Sequence, residues 1–259
     1  MPFTTDPYNL YNPNMGSNAS IAGISRNGSA GNYTYSVIGS GDRPITYVSW
    51  FDAARFCNWL QNGQGAGSTE TGAYNLNGAS SGIFTVQEGI TVRLPSESEW
   101  YKAASYDATM NAGGGGYWVY ATQSNTMTSN DMTVAGAANL YWGNINTAKS
   151  AQVQNGLPSA LSDVGAYGAD SESYYGTNDQ SGNVWELIDT INSNSYRGIR
   201  GGAWLYTDPG PIGTDSSGLA VPTDESLDLG FRVVYGIPEP TTLLLTMLAS
   251  GAMLIRRRR

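Results

Sequence analysis

The chain contains no histidine and a single cysteine, Cys57. The first absence excludes every mechanism that needs an imidazole base or ligand, Ser-His-Asp triads and His-bound zinc included. The second excludes an intramolecular disulfide and any metal site built on a cysteine pair. Lysine is nearly missing as well, present only as Lys102 and Lys149, and charged residues make up just 13% of the sequence. That is about half the usual share. Arg256 to Arg259 close the chain, so the part before them is more acidic than the net charge of −8 indicates. Such a field repels phosphate backbones and argues against nucleic acid as a partner, while it favours cations such as Ca2+. No basic-then-apolar segment follows Met1, so the written start carries no export signal.

What is present is a folded, loop-rich chain. A length of 259 residues, 40% of them hydrophobic and seven of them Trp, can bury a full core as one large domain or two small ones. Abundant Gly, Asn, Ser, Thr and Tyr place much of the chain in turns. Two helices stand out. Ser49 is an N-cap with Asp52 in the first turn, after which Trp50, Ala53, Ala54, Cys57 and Leu60 recur at helical spacing and Asn62-Gly63 ends the run. Cys57 lies on that apolar face and reads as a small core residue. Ser96-Glu97-Ser98-Glu99 is a capping box, and Trp100, Ala103 and Ala104 form the buried face of the second helix. Glu97 and Glu99 are two apart and do not face each other, which favours capping over acid/base chemistry.

Short strands are expected at Asn32–Ile38, Ile83–Val86, Thr91–Leu94, Arg197–Trp204 and Leu229–Val234. Arg200 and Arg232 sit inside the last two and, in apolar glycine-rich surroundings, call for carboxylate partners. Gly113 to Gly116 is not followed by Lys-Ser/Thr and reads as a flexible loop, not a phosphate cradle. Asn139 to Gly143 is a polar–aromatic cluster that packs. The stretch Gly182-Asn183-Val184-Trp185-Glu186 holds the strongest local conflict, a carboxylate beside a tryptophan that seeks burial. Glu186 needs a cation, a set of backbone donors or a metal, and a structural role suits it better than catalysis.

The C-terminal segment is a separate object. Pro238-Glu239-Pro240 breaks regular structure, Thr241 to Ile255 is uncharged and mostly apolar, and the arginine cluster follows. Fifteen residues fall short of the roughly 20 that cross a bilayer comfortably. A sorting tail or marginal membrane anchor through residues 241–255 is expected, with the arginines on the cytoplasmic side.

Taken in order, Pro44–Ala53, Arg93–Trp100, Gly182–Glu186, Arg200–Trp204 and Leu229–Arg232 resemble the formylglycine-generating enzyme, or sulfatase-modifying factor, family. The tail resembles a PEP-CTERM signal, which implies export and an exosortase-type processing partner. The division is then 1–236, a sulfatase-modifying-factor-like domain, and 237–259, the sorting tail. The resemblance implies an α+β, C-type lectin-like fold with two main helices and short antiparallel strands. The family's opening strand and helix have no counterpart in the chain as written, so signal peptide and first strand are expected upstream of Met1. It also implies structural Ca2+, one ion at Glu186 with carbonyls near Ser181, Gly182 and Val184, another at Asn139 and the Leu140 carbonyl. Oxygen ligands and irregular geometry suit that ion. The oxidase's two copper-binding cysteines correspond without gaps to Tyr206 and Pro211, neither of which offers the soft sulfur Cu(I) requires. No copper is therefore expected, nor histidine-bound iron. The expectation is an exported, envelope-associated, non-catalytic member that binds a polysaccharide or protein ligand or serves as structure. Segments 107–135 and 205–228 are its candidate ligand surfaces. The alternatives are a protein-modifying oxidase as the family label implies, or a glycan hydrolase built on two facing carboxylates.

Overall fold

The computed structural model describes residues 5–127, 129–140, 152–154, 157–192, 195–206 and 210–236. The apolar tail and the segment from Tyr141 to Gly143 lie outside them. Among the described residues no helix is long and apolar enough to cross a membrane.

Two helices carry the core, as their caps and spacing imply. Helix α1 spans Trp50–Gln61 and helix α2 spans Glu97–Ser105, each opened by a complete capping box, Ser49 with Asp52 and Ser96 with Glu99. Shorter helical turns occur at Asn14–Ser17 and Met110–Gly113. The main sheet has four strands: β1 (Trp185–Ile191), β2 (Arg197–Arg200), β3 (Ser217–Ala220) and β4 (Leu229–Phe231). Their spatial order is β3-β2-β1-β4. The pairs β3/β2 and β2/β1 are antiparallel, whereas β4 runs parallel to β1, with Gly230 opposite Glu186. A hairpin joins Ile24–Asn27 to Thr34–Val37, and Val92–Arg93 pairs with Val234–Tyr235. Two further two-stranded pairs, Tyr106–Asp107 with Gly116–Tyr117 and Gln152–Gln154 with Leu157–Ser159, lie in stretches that read as turns.

Two expected strands come out differently. Ile83–Val86 forms no strand. Its backbone is spent on side chains instead: the Phe84 carbonyl accepts from Arg197 Nη2 at 2.7 Å, and Phe84 packs its ring on Phe51. The Arg197–Trp204 strand stops at Arg200, because Gly201 and Gly202 take φ values of 91° and 66° and turn the chain.

The largest core cluster packs α1, through Trp50, Phe51, Ala53, Ala54 and Cys57, against Trp185, Leu187 and Leu229 of the sheet. Trp50 and Cys57 are fully buried. The Arg197 guanidinium lies 3.5 Å from the centre of the Trp50 ring and hydrogen-bonds the Asp189 carbonyl at 2.8 Å. A buried arginine is tolerated there because its charge meets a π face, carbonyl oxygens and a carboxylate. Helix α2 docks on β1 through Trp100, Ala104 and Ile188.

Candidate functional site

The segment from Gln180 to Glu186 is buried at every residue. Gly182 has a φ of 87°, and a Cβ there would collide with the Asn139 carbonyl. Only glycine allows that approach. Asn183, also left-handed with a φ of 63°, knots three segments together. Its amide N–H donates to the Asn139 carbonyl at 2.9 Å. Its side-chain oxygen accepts from Asn139 Nδ2 at 3.1 Å and from Ser162 N at 3.2 Å. Its Nδ2 donates to the Ser162 carbonyl at 3.2 Å, and its own carbonyl accepts from Trp204 N at 3.0 Å.

Glu186 is 4% exposed and sits between two partners. The Trp100 indole N–H donates to Oε2 at 2.6 Å. Arg232 bridges both carboxylate oxygens through Nε and Nη2, and also donates to the Asn178 carbonyl at 3.0 Å. The charge compensation that Glu186 requires therefore comes from a guanidinium supplied by the chain just beyond β4. The parallel pairing of β4 with β1 places Arg232 there. Arg200 pairs with Glu97 and donates to the Thr214 and Ser216 carbonyls, which ties α2 to the sheet. Glu99 serves the Ser96 cap and Arg93 together. Both arginines thus have the carboxylates that their sequence surroundings demand, and both glutamates of the capping box are structural.

The remaining expected ligands are placed as follows. Ser181 Oγ accepts from Ala121 N at 3.0 Å. Val184 packs with Ile21 and Leu161. The Leu140 carbonyl accepts from Asn130 Nδ2 at 3.0 Å, with its side chain fully buried. Asn139 donates through Nδ2 to the Ala160 carbonyl, Ser162 and Asn183, but its Oδ1 is buried with no hydrogen bond. Asn139 and Asn183 thus meet in one cluster, while the Glu186 carboxylate belongs to another. Among the described residues no three His, Cys, Asp or Glu side chains converge as a metal group.

Tyr206 and Pro211, the positions expected from the resemblance to correspond to copper-binding cysteines, have the following surroundings. Tyr206 Oη accepts from the Trp185 indole N–H at 3.0 Å, the two rings meeting edge to face 5.9 Å apart. The Pro211 carbonyl lies against Gly202. Cys57 is fully buried in the α1 core, and burial pushes its thiol up to about 12, which suppresses the nucleophilic thiolate at neutral pH.

A much larger concavity lies elsewhere. A groove of about 600 Å3 opens between the N-terminal segment and the outer face of α1. Its wall is aromatic: Tyr8, Tyr11, Tyr35, Phe56, Trp59 and Phe231. The Phe56 ring centre is 5.8 Å from Trp59 and 5.4 Å from Phe231. Two acids reach the groove, yet both are engaged by backbone. Asp6 accepts from Leu10 N at 2.7 Å and pairs with Arg26; Asp52 accepts from Ser49 N at 2.8 Å. Sequence reading took α1 for its buried face alone. The signal available was Phe56 and Trp59, three apart on the flank of the face that Ala53, Cys57 and Leu60 form.

The model of the sulfatase-modifying factor enzyme 1-like domain matches residues 17–237. The chain belongs to that family. A comparison with curated proteins finds no match. Among solved structures the chain is similar to one described as CarF, with a TM-score of 0.50, 21% identity, and coverage of 76% of this chain and 69% of that one. It is also similar to Treponema denticola variable protein 1 (TM-score 0.49, 20% identity, 75% and 72% covered). PvdO from Pseudomonas aeruginosa follows with a TM-score of 0.46, 19% identity and coverage of 82% and 68%. At such identities the likeness to CarF speaks for the fold alone.

Proposed function

We propose that this family member is a non-catalytic binding or structural domain, exported and associated with the cell envelope through its C-terminal tail. The observation that carries the reading is the state of the thiol positions. Tyr206 holds the Trp185 indole, Pro211 has no side-chain ligand atom, and the one cysteine is sealed in the core. Copper-dependent thiol oxidation needs soft sulfur at an accessible site, and these residues do not supply it. A ligand role is supported by the aromatic groove, whose volume falls in the range of small-molecule sites and suits the apolar part of a ligand. The segments 107–135 and 205–228 supply additional surface, although Ser217–Ala220 within the second is a sheet strand.

Structural Ca2+ is part of the proposal at Asn139. The buried, unpartnered Oδ1 and the neighbouring Leu140 carbonyl are neutral oxygens of the kind that ion accepts. The set Ser181, Gly182, Val184 and Glu186 fits less well, since a metal there must first displace Arg232 from the carboxylate. Export, processing by an exosortase-type enzyme and anchoring through residues 241–255 rest on the tail's sequence. The deciding experiment supplies the purified chain with Cu(I), oxygen and a sulfatase-type cysteine peptide. No formylglycine by mass spectrometry is expected; turnover would overturn the reading.

A further inference from the structure

A second, much smaller cavity of about 10 Å3 lies beside the Gln180–Glu186 segment, with Thr122, Ser171, Tyr167, Asp179 and Ser181 in its wall. That is room for one water-sized occupant. Two hydroxyls in the wall, Thr122 Oγ1 and Ser171 Oγ, are buried without any hydrogen-bond partner. Each residue is only 7% exposed. Buried hydroxyls are rarely left unpaired, and two of them on one tiny cavity point to a missing occupant. Asp179 shares the wall. Its backbone is left-handed, with a φ of 58°, and its carboxylate accepts from Gly165 N at 2.8 Å through Oδ2. No ion pair reaches it among the described residues. The neighbouring cation, Arg232, is already committed to both oxygens of Glu186 and to the Asn178 carbonyl. Two carboxylates thus share one guanidinium, and a cation in the cavity would balance the second.

We infer that this cavity is a site for a single hard cation, Na+ or Ca2+, held by the Asp179 carboxylate with the Thr122 and Ser171 hydroxyls. Hydroxyl and carboxylate oxygens suit both ions. The site is separate from Asn139; Ser181, assigned to Ca2+ above, lines the cavity wall but is not one of the three groups that hold the ion.

The test compares the full-length wild-type chain with Asp179→Asn and with the near-isosteric pair Thr122→Val/Ser171→Ala. Calcium equivalents are counted by calorimetry after chelation. Unfolding midpoints are followed in NaCl against choline chloride of equal ionic strength. If Ca2+ is the occupant, wild type binds one equivalent more than either variant. If Na+ is, wild type alone gains about 4 °C or more at saturation, because an ion that binds only the folded state raises its stability. Equal calcium equivalents in all three proteins, together with equal midpoints in NaCl, would overturn the proposal and leave water as the occupant. Should Asp179→Asn fail to fold, the hydroxyl pair decides by the same readings, with at least about a tenfold loss of affinity expected.

Discussion

Glu186, Arg232 and Trp100 show how one carboxylate can be buried at low cost. Both oxygens are used, one partner is charged, and the other is an indole N–H whose ring belongs to α2. Removing one member leaves the rest buried without compensation, which typically costs about 3–5 kcal/mol. Glu186→Gln is therefore expected to destabilise the chain by about 3 kcal/mol in urea unfolding. Combining it with Arg232→Met should recover part of that loss, because the orphaned cation disappears as well. A double variant less stable than the sum of both singles would show that the pair is not the unit. The glutamate's need for a partner was legible beside the tryptophan. Which of cation, backbone or metal would answer it was not, since Arg232 is 46 residues away.

At the scale of elements, the caps did most to make the helices legible. A cap is local, spanning four residues: the Ser96 box and the Ser49 N-cap occur where the sequence places them, and the structure closes Ser49 and Asp52 into a second box. Ser49→Ala and Ser96→Ala should each cost about 1 kcal/mol in thermal or urea unfolding. The larger loss is expected at Ser96, whose hydroxyl also meets the Glu99 carboxylate that Arg93 holds. Strands were harder, because a short strand depends on a partner that local spacing does not name. Ile83–Val86 has the β-branched and aromatic composition of a strand, yet Arg197, more than a hundred residues later, takes its backbone oxygen.

For the molecule as a whole, three carboxylates that burial raises to about 6, Asp52, Asp179 and Asp189, shape the response to pH. Burial pushes Asp52 up to about 6, against the lowering effect of the Ser49 hydrogen bonds and of Arg55, with Glu225 adding to the rise. Burial does the same for Asp189, to about 6, opposed by Arg197, Tyr74 and Arg93 and reinforced by Glu99. In the unfolded chain all three titrate near 3.8. Between those values the folded state holds more protons, so stability falls as pH rises from about 4 to 6. Glu99 works in the opposite direction, held at about 2 chiefly by Arg93, and its contribution fades as pH drops through the acid range. The unfolding midpoint is therefore expected to be higher near pH 5 than at pH 7, and Asp52→Asn with Asp189→Asn should reduce that difference, leaving the part that Asp179 contributes. A midpoint that climbs steadily from pH 5 to 7 would contradict the assignment. The groove makes a separate prediction. A bound apolar fluorophore should quench Trp59 emission by energy transfer, and Phe56→Glu should weaken its binding about tenfold or more, since a charge would enter an aromatic wall.

The residue types alone determined that no imidazole or paired-thiol chemistry is available, that two capped helices form, and that Gly182 to Glu186 lies at the structural centre. Five short motifs in order determined the family. These are properties of composition or of stretches under ten residues, where neighbours in sequence are neighbours in space. Only the tertiary structure decided that Arg232 answers Glu186, that Asn183 joins Asn139 to Ser162, and that two lone hydroxyls and Asp179 close on one cavity. Each of these contacts spans tens of residues in a chain where turns, not long regular elements, carry the backbone. No periodicity encodes such distances, and the partners are chosen by the packing of α1 and α2 on the sheet.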